Sequence, residues 1–166
     1  MANRLVGIFG ALWAVAGLLG ILVWAIVHLM NRAIEAYETG LSTAQWWITA
    51  AIVVFMAYTE GYRGFQGSFS PRTAHRVRHL IDHPDGLRSL LAPLYAMGFF
   101  HATRRIKVTT YALTIGIVVL VLLIQQLDQP WRGMIDAGVV VGLAWGVASL
   151  VWCFAAVLSR RGAETG

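Results

Sequence analysis

His75, His79 and His83 recur at four-residue intervals in "SPRTAHRVRHLIDHPDG", residues 70–86, which also holds Arg72, Arg76 and Arg78. On a helix, imidazoles at i and i+4 share a face and can chelate one ion, so His75 and His79 are the candidates for a metal, with Asp82 beside them. The third histidine does not join them, because eight residues drift by about 80° around an ideal helix. Arg72 and Arg76 on the same face repel a cation. The reading is no metal and no cofactor, with the histidines on a solvated polar face. Histidine with arginine also binds phosphate and moves protons near neutral pH. A membrane enzyme, or a phosphate or lipid-headgroup binder working from this His/Arg face, is therefore the alternative function, although no acid–histidine–nucleophile arrangement accompanies it.

A second dense patch is "FMAYTEGYRGFQGSF", residues 55–69. Glu60 and Arg63 are expected to pair at i, i+3 near the end of a helix, with Tyr58, Tyr62, Phe65 and Phe69 anchoring its exit. His101 and Arg104, from "FFHATRRIK", complete a candidate polar cluster of Glu60, Arg63, His101 and Arg104 if the chain folds back. Elsewhere His28, Arg32 and Glu35 share roughly one helical face with Glu38 near, read as a mutually neutralising surface network rather than a metal site.

The elements that must position these groups are apolar. The 166 residues are 58% hydrophobic and 13% charged, against about 25% charged in a soluble domain. Four runs, 5–29, 44–62, 108–127 and 135–158, match the roughly 20 helical residues that cross a bilayer. Each lacks a charge in its middle third. "AVA" at 14–16 resembles a cleavage site, but apolar residues continue well beyond it, so the first run is read as an uncleaved span. The expectation is an all-α integral membrane protein, a single domain over 1–166, with four transmembrane helices.

Charge gives the direction. Eleven of the thirteen Lys and Arg residues fall at the two termini or between the second and third runs, leaving Arg32 and Arg132 on the other side. By the positive-inside rule both termini and the long connection are cytoplasmic, and the protein is expected in the inner (plasma) membrane. Trp46, Trp47 and Trp131 then fall at the outer interface. The net charge of +5 is read as topology signal and attraction to anionic lipid, not as a nucleic-acid interface. Cys153, the single cysteine, cannot form an intrachain disulfide.

Residues 70–103 are expected as an interfacial or re-entrant helical segment between helices 2 and 3. Ser70-Pro71 reads as a helix start. Ala74, Val77, Leu80 and Ile81 form the apolar side of a short amphipathic helix lying flat in the headgroups. Arg72, Arg76, Arg78, Arg88, Arg104, Arg105 and Lys107 are its headgroup contacts. Residues 90–100 are too short to span and are broken by Pro93 and Gly98. Small-residue ridges at Gly138, Gly142 and Gly146, and at Gly7, Gly10, Ala14 and Gly17, predict close helix packing, with each other or across a homodimer. The spans offer little polar lining for a transport path. The function expected is non-catalytic: a scaffold, accessory subunit or lipid-associated interaction protein, with the phospholipid bilayer, anionic headgroups and a homo-oligomer or membrane-protein partner as its contacts.

Overall fold

The computed structural model describes residues 2–83, 85–100 and 104–164, and the described residues are helical or short connections. Helix α1 (Ala2–Glu38) ends in a loop at Gly40, whose φ of 80° is the left-handed conformation glycine adopts freely. Helix α2 (Thr43–Met56) then starts on a capping box. The Ser42 hydroxyl accepts from the Gln45 amide at 3.3 Å, and the Gln45 side-chain oxygen accepts from the Ser42 amide at 2.8 Å.

No helix ends at residue 62. The backbone stays helical from Thr43 to Asp82, running through α2, a π-helical segment (Ala57–Phe69) and α3 (Ser70–Asp82). The expected start at Ser70-Pro71 is therefore an interior junction, with both Phe69 and Ser70 in right-handed helical conformation. The physical reason lies in the preceding turns: the Ser70 amide donates to the Phe65 carbonyl, so the helical ladder runs on through Ser70 and the downstream amides find preceding carbonyls instead of a capping hydroxyl. The wide winding also suits Pro71, which brings no donor of its own. Its glycines fit the same winding. A Cβ on Gly64 would lie 3.2 Å from the Thr59 carbonyl oxygen, and one on Gly67 3.4 Å from that of Tyr62.

The apolar face of α3 is the one expected, with Ala74, Val77, Leu80 and Ile81 all buried. Its partner differs from the expectation, since the face packs on α1, α5 and α7 within the chain and is not left to cover a bilayer. Asp85 caps the short α4 (Gly86–Leu90), accepting from the Leu87 amide at 3.1 Å, and α5 (Ala92–Met97) stops at Gly98 with φ 97°. Together α4 and α5 climb along α1. A Cβ on Gly10 would sit 2.8 Å from the Ser89 side chain, and one on Gly17 2.9 Å from Pro93. Gly7 lies under the Leu80 carbonyl oxygen, 2.7 Å from where its Cβ would be. Ala14 is fully buried in the same core, which joins α1, α3 and α5 to Leu150 and Phe154 of α7.

Helix α7 (Trp131–Glu164) is the central post, packing on α1, α2, the π segment and α3. Cβ atoms on Gly138, Gly142 and Gly146 would meet Ile52, Glu60 and Phe65 at 2.7, 3.0 and 2.7 Å. Both ridges are thus close-packed, but not against each other: the α1 ridge takes the α3–α5 segment and the α7 ridge takes the long second helix. Helix α6 (Arg104–Ile124) stands apart and touches the body through its first turns. Thr110 there donates to the Met97 carbonyl at 3.5 Å, and Tyr111 meets Phe99 edge-on. Three helices, in α1, α6 and α7, are long and apolar enough to cross a membrane among the described residues.

Candidate functional site

The basic face of the connecting segment is held largely by its own chain. Arg72 is exposed and bends back to donate to the Ser68 carbonyl at 2.7 Å and the Ser68 hydroxyl at 3.0 Å. Arg76 donates to the Tyr95 and Phe100 carbonyls, with its guanidinium carbon 4.9 Å from the Tyr95 ring centroid. It works as a clamp between α3 and the chain at and beyond the end of α5, adding a charged donor to the Tyr95 carbonyl, which also accepts from the Gly98 amide at 3.1 Å, and bonding the Phe100 carbonyl past the helix end. Arg78 faces Asp82 at 3.7 Å, and Arg88 faces Asp85 at 3.3 Å. Arg104 is exposed and Lys107 half-buried, while the side chain of Arg105 lies outside the described residues.

The histidines share the exposed side of α3 without converging. His79 stacks on His83, centroids 4.7 Å apart, and its Nδ1 lies 3.4 Å from the Tyr95 hydroxyl. His75 is exposed. No group of three His, Cys, Asp or Glu side chains converges as a metal site among the described residues. The chemistry left to this face is that of exposed imidazoles beside guanidinium groups, suited to an anion on the surface.

Of the candidate cluster of Glu60, Arg63, His101 and Arg104, three members can be placed. No hydrogen bond or ion pair joins Glu60, Arg63 and Arg104 among the described residues, and His101 lies outside them. Glu60 is half-buried against Gly142, Gly61 packs on the Trp145 ring, and Trp145 Nε1 donates to Gln66 at 2.8 Å. The apolar span of α7 runs Trp131–Val157, with its midpoint at residue 144, halfway between those ends. Glu60 is thus level with the middle of that span rather than with a helix exit. The expected i, i+3 pair with Arg63 fails for a local reason. In a π-helix the residues that stack are four and five apart, and i+3 falls roughly a third of a turn away.

At the opposite end, the expected network of His28, Arg32 and Glu35 is rearranged around a residue that sequence reasoning passed over. Asp136 is 3% exposed, and the charges acting on it are those of Arg132, Arg32 and His28. Its Oδ2 and the Arg132 Nε are both buried without a partner among the described residues. Arg32 Nη2 lies 3.3 Å from His28 Nε2, which stacks on Trp24, whereas Glu35 is exposed. The signal available in sequence was the i, i+4 spacing of Arg132 and Asp136 at the start of an apolar helix. Gln129 ties this corner to α1, donating to the Arg32 carbonyl at 3.3 Å and accepting from the Gly133 amide at 3.1 Å.

These features define a helical protein with several helices apolar enough for a membrane. No family model, curated protein or solved structure matches the chain.

Proposed function

We propose that the chain is a multi-pass inner-membrane protein that crosses the bilayer four times, keeps both termini cytoplasmic, and works through contacts, as a scaffold, accessory subunit or lipid-associated partner. The observation that carries this reading is α6. Val108, Ile115, Val118, Leu122 and Leu123 are exposed around its circumference, and none of the described side chains of its apolar span is buried. An apolar helix exposed on all sides is at rest only in hydrocarbon or against another apolar surface. Lying outside the packed body, it is available to a partner. On this reading the second crossing is α2 together with the π segment, whose Glu60 to Phe65 lie level with the middle of the α7 span. The climb of α4 and α5 along α1 supports a re-entrant element entering from the cytoplasmic side, and Arg72, Arg78, Arg88 and Lys107 sit within reach of anionic headgroups.

A second reading, phosphate binding or catalysis at the His/Arg face, draws on the exposed His75 and on His79 with the Tyr95 hydroxyl at 3.4 Å. Replacing His75, His79 and His83 together with Gln separates the two. Contact function leaves the size of the complex extracted in mild detergent unchanged, while the second reading requires loss of bound phosphate or phospholipid.

The topology is tested by impermeant thiol labelling of single cysteines in a Cys153→Ser background. His83→Cys should label only from the cytoplasmic side and Gln129→Cys only from the outside. Labelling of both from the same side would exclude the four-crossing arrangement.

A further inference from the structure

The π segment presents a polar face at a depth where the neighbouring helices are apolar. Its residues Glu60, Gly61 and Phe65 pack on Gly142, Trp145 and Gly146, which bracket the midpoint of the Trp131–Val157 span. Tyr58 and Tyr62 are 55% and 51% exposed there and stack on each other, with Arg63, Gln66 and Gly67 also exposed. A guanidinium facing acyl chains at mid-depth is costly, and an ionisable group in that position marks a partner or a pathway.

Two opposite charges on this segment lack partners among the described residues. Among the described residues neither Glu60 nor Arg63 makes a hydrogen bond or ion pair. The wide winding separates them around the helix, and the positions four and five away from Glu60 hold Phe55, Met56, Gly64 and Phe65, none of them cationic. Beside them Gly64 and Gly67 are exposed, and a Cβ at either would meet no atom within 4 Å except a carbonyl of the same segment. Among the described residues no other element packs on the smooth surface they make, and small residues are what allow helix backbones to approach in lipid.

We infer that the π segment is the interface with a second copy of this chain, in a two-fold dimer whose axis lies along the membrane normal. Such an axis sets the two segments side by side at equal depth. Arg63 of each copy then meets Glu60 of the other, and one operation satisfies both charges. The opposite signs, three residues apart and turned away from each other, make the surface complementary to itself. The inference rests on the membrane reading above.

The test uses the full chain in native membrane vesicles with Cys153→Ser as background. Gly67→Cys should form an oxidative cross-link running at twice the 18.2 kDa chain. Glu60→Arg alone and Arg63→Glu alone should each reduce that cross-link about tenfold or more. Co-expressing the two under different tags should restore it as a mixed dimer, because each pair then regains opposite signs. Rescue by the double variant in one chain but not by the mixture would place the pair inside the chain and overturn the inference. A monomer, or a product of any other mass, would also overturn it. Should the reversed charges prevent accumulation, Glu60→Gln and Arg63→Gln must still weaken the dimer, and unchanged cross-linking in both would defeat the proposal. Alkaline carbonate separates the two levels: release of the protein from vesicles removes the membrane reading, whereas retention without a dimer removes this inference alone.

Discussion

Two glycine ridges of similar spacing do different work in this molecule. On α1, Gly7 and Gly10 meet main-chain and first side-chain atoms of a folded-back segment: the Leu80 carbonyl oxygen at 2.7 Å and the Ser89 Cα at 2.9 Å. On α7, Gly142 and Gly146 meet the Glu60 carboxylate oxygen at 3.0 Å and the Phe65 ring at 2.7 Å, along one continuous helix. Backbone cannot move away from an added methyl without shifting its whole element, whereas a side chain has rotamers to spend. The first ridge is a socket for the α3–α5 segment. The second is a groove for a helix. Spacing alone does not distinguish them.

The contrast can be broken most directly at Gly7. Gly7→Ala should destabilise by about 3 kcal/mol, read as a lower denaturation midpoint in detergent and faster proteolysis between α3 and α5. A wild-type midpoint would mean that α3 does not seat on α1. Arg76→Leu comes next, at about 2 kcal/mol, because it withdraws a charged donor from the Tyr95 and Phe100 carbonyls. Its effect should be confined to cleavage near α5, and equal loosening of α2 would contradict the clamp. Gly142→Ala should cost about 1 kcal/mol, since the Glu60 carboxylate, the nearest group, can swing aside and the Glu60 Cβ and Met56 carbonyl stand farther off at 3.2 and 3.4 Å; a loss as large as at Gly7 would show that the groove is as rigid as the socket. Gly20→Ala sharpens the comparison from below. Nothing lies within 4 Å of a Cβ there, so the helix should gain about 0.5 kcal/mol from the better helix former, and any loss of stability would reveal an unrecognised contact on that side of α1.

Much of the architecture was legible because it depends on local sums. The positions of α1, α6 and α7 follow from apolar runs, although α1 and α7, at 37 and 34 residues, continue well past the runs at 5–29 and 135–158, and the apolar face of α3 follows from the spacing of Ala74, Val77, Leu80 and Ile81. The stop at Gly98 and the break around Pro93 come from backbone chemistry carried by single residues. The site was less legible. Glu60 and Arg63 were expected to neutralise each other, and that expectation assumed α-helical winding. Asp136 drew no expectation at all, although it is the buried acid of that end and feels the charges of Arg132, Arg32 and His28.

By itself the sequence determined where apolar length accumulates, on which side the cationic residues gather, and which helix faces are smooth, because hydropathy, charge and residue size are properties of neighbours along the chain. Only the tertiary structure decided which smooth face meets which partner, that residues 43–82 run as one helix, and that Glu60 lies level with the middle of α7. Those outcomes depend on contacts between residues far apart in sequence and on a change in winding from four to five residues per hydrogen-bonded step, which no local pattern in the chain encodes.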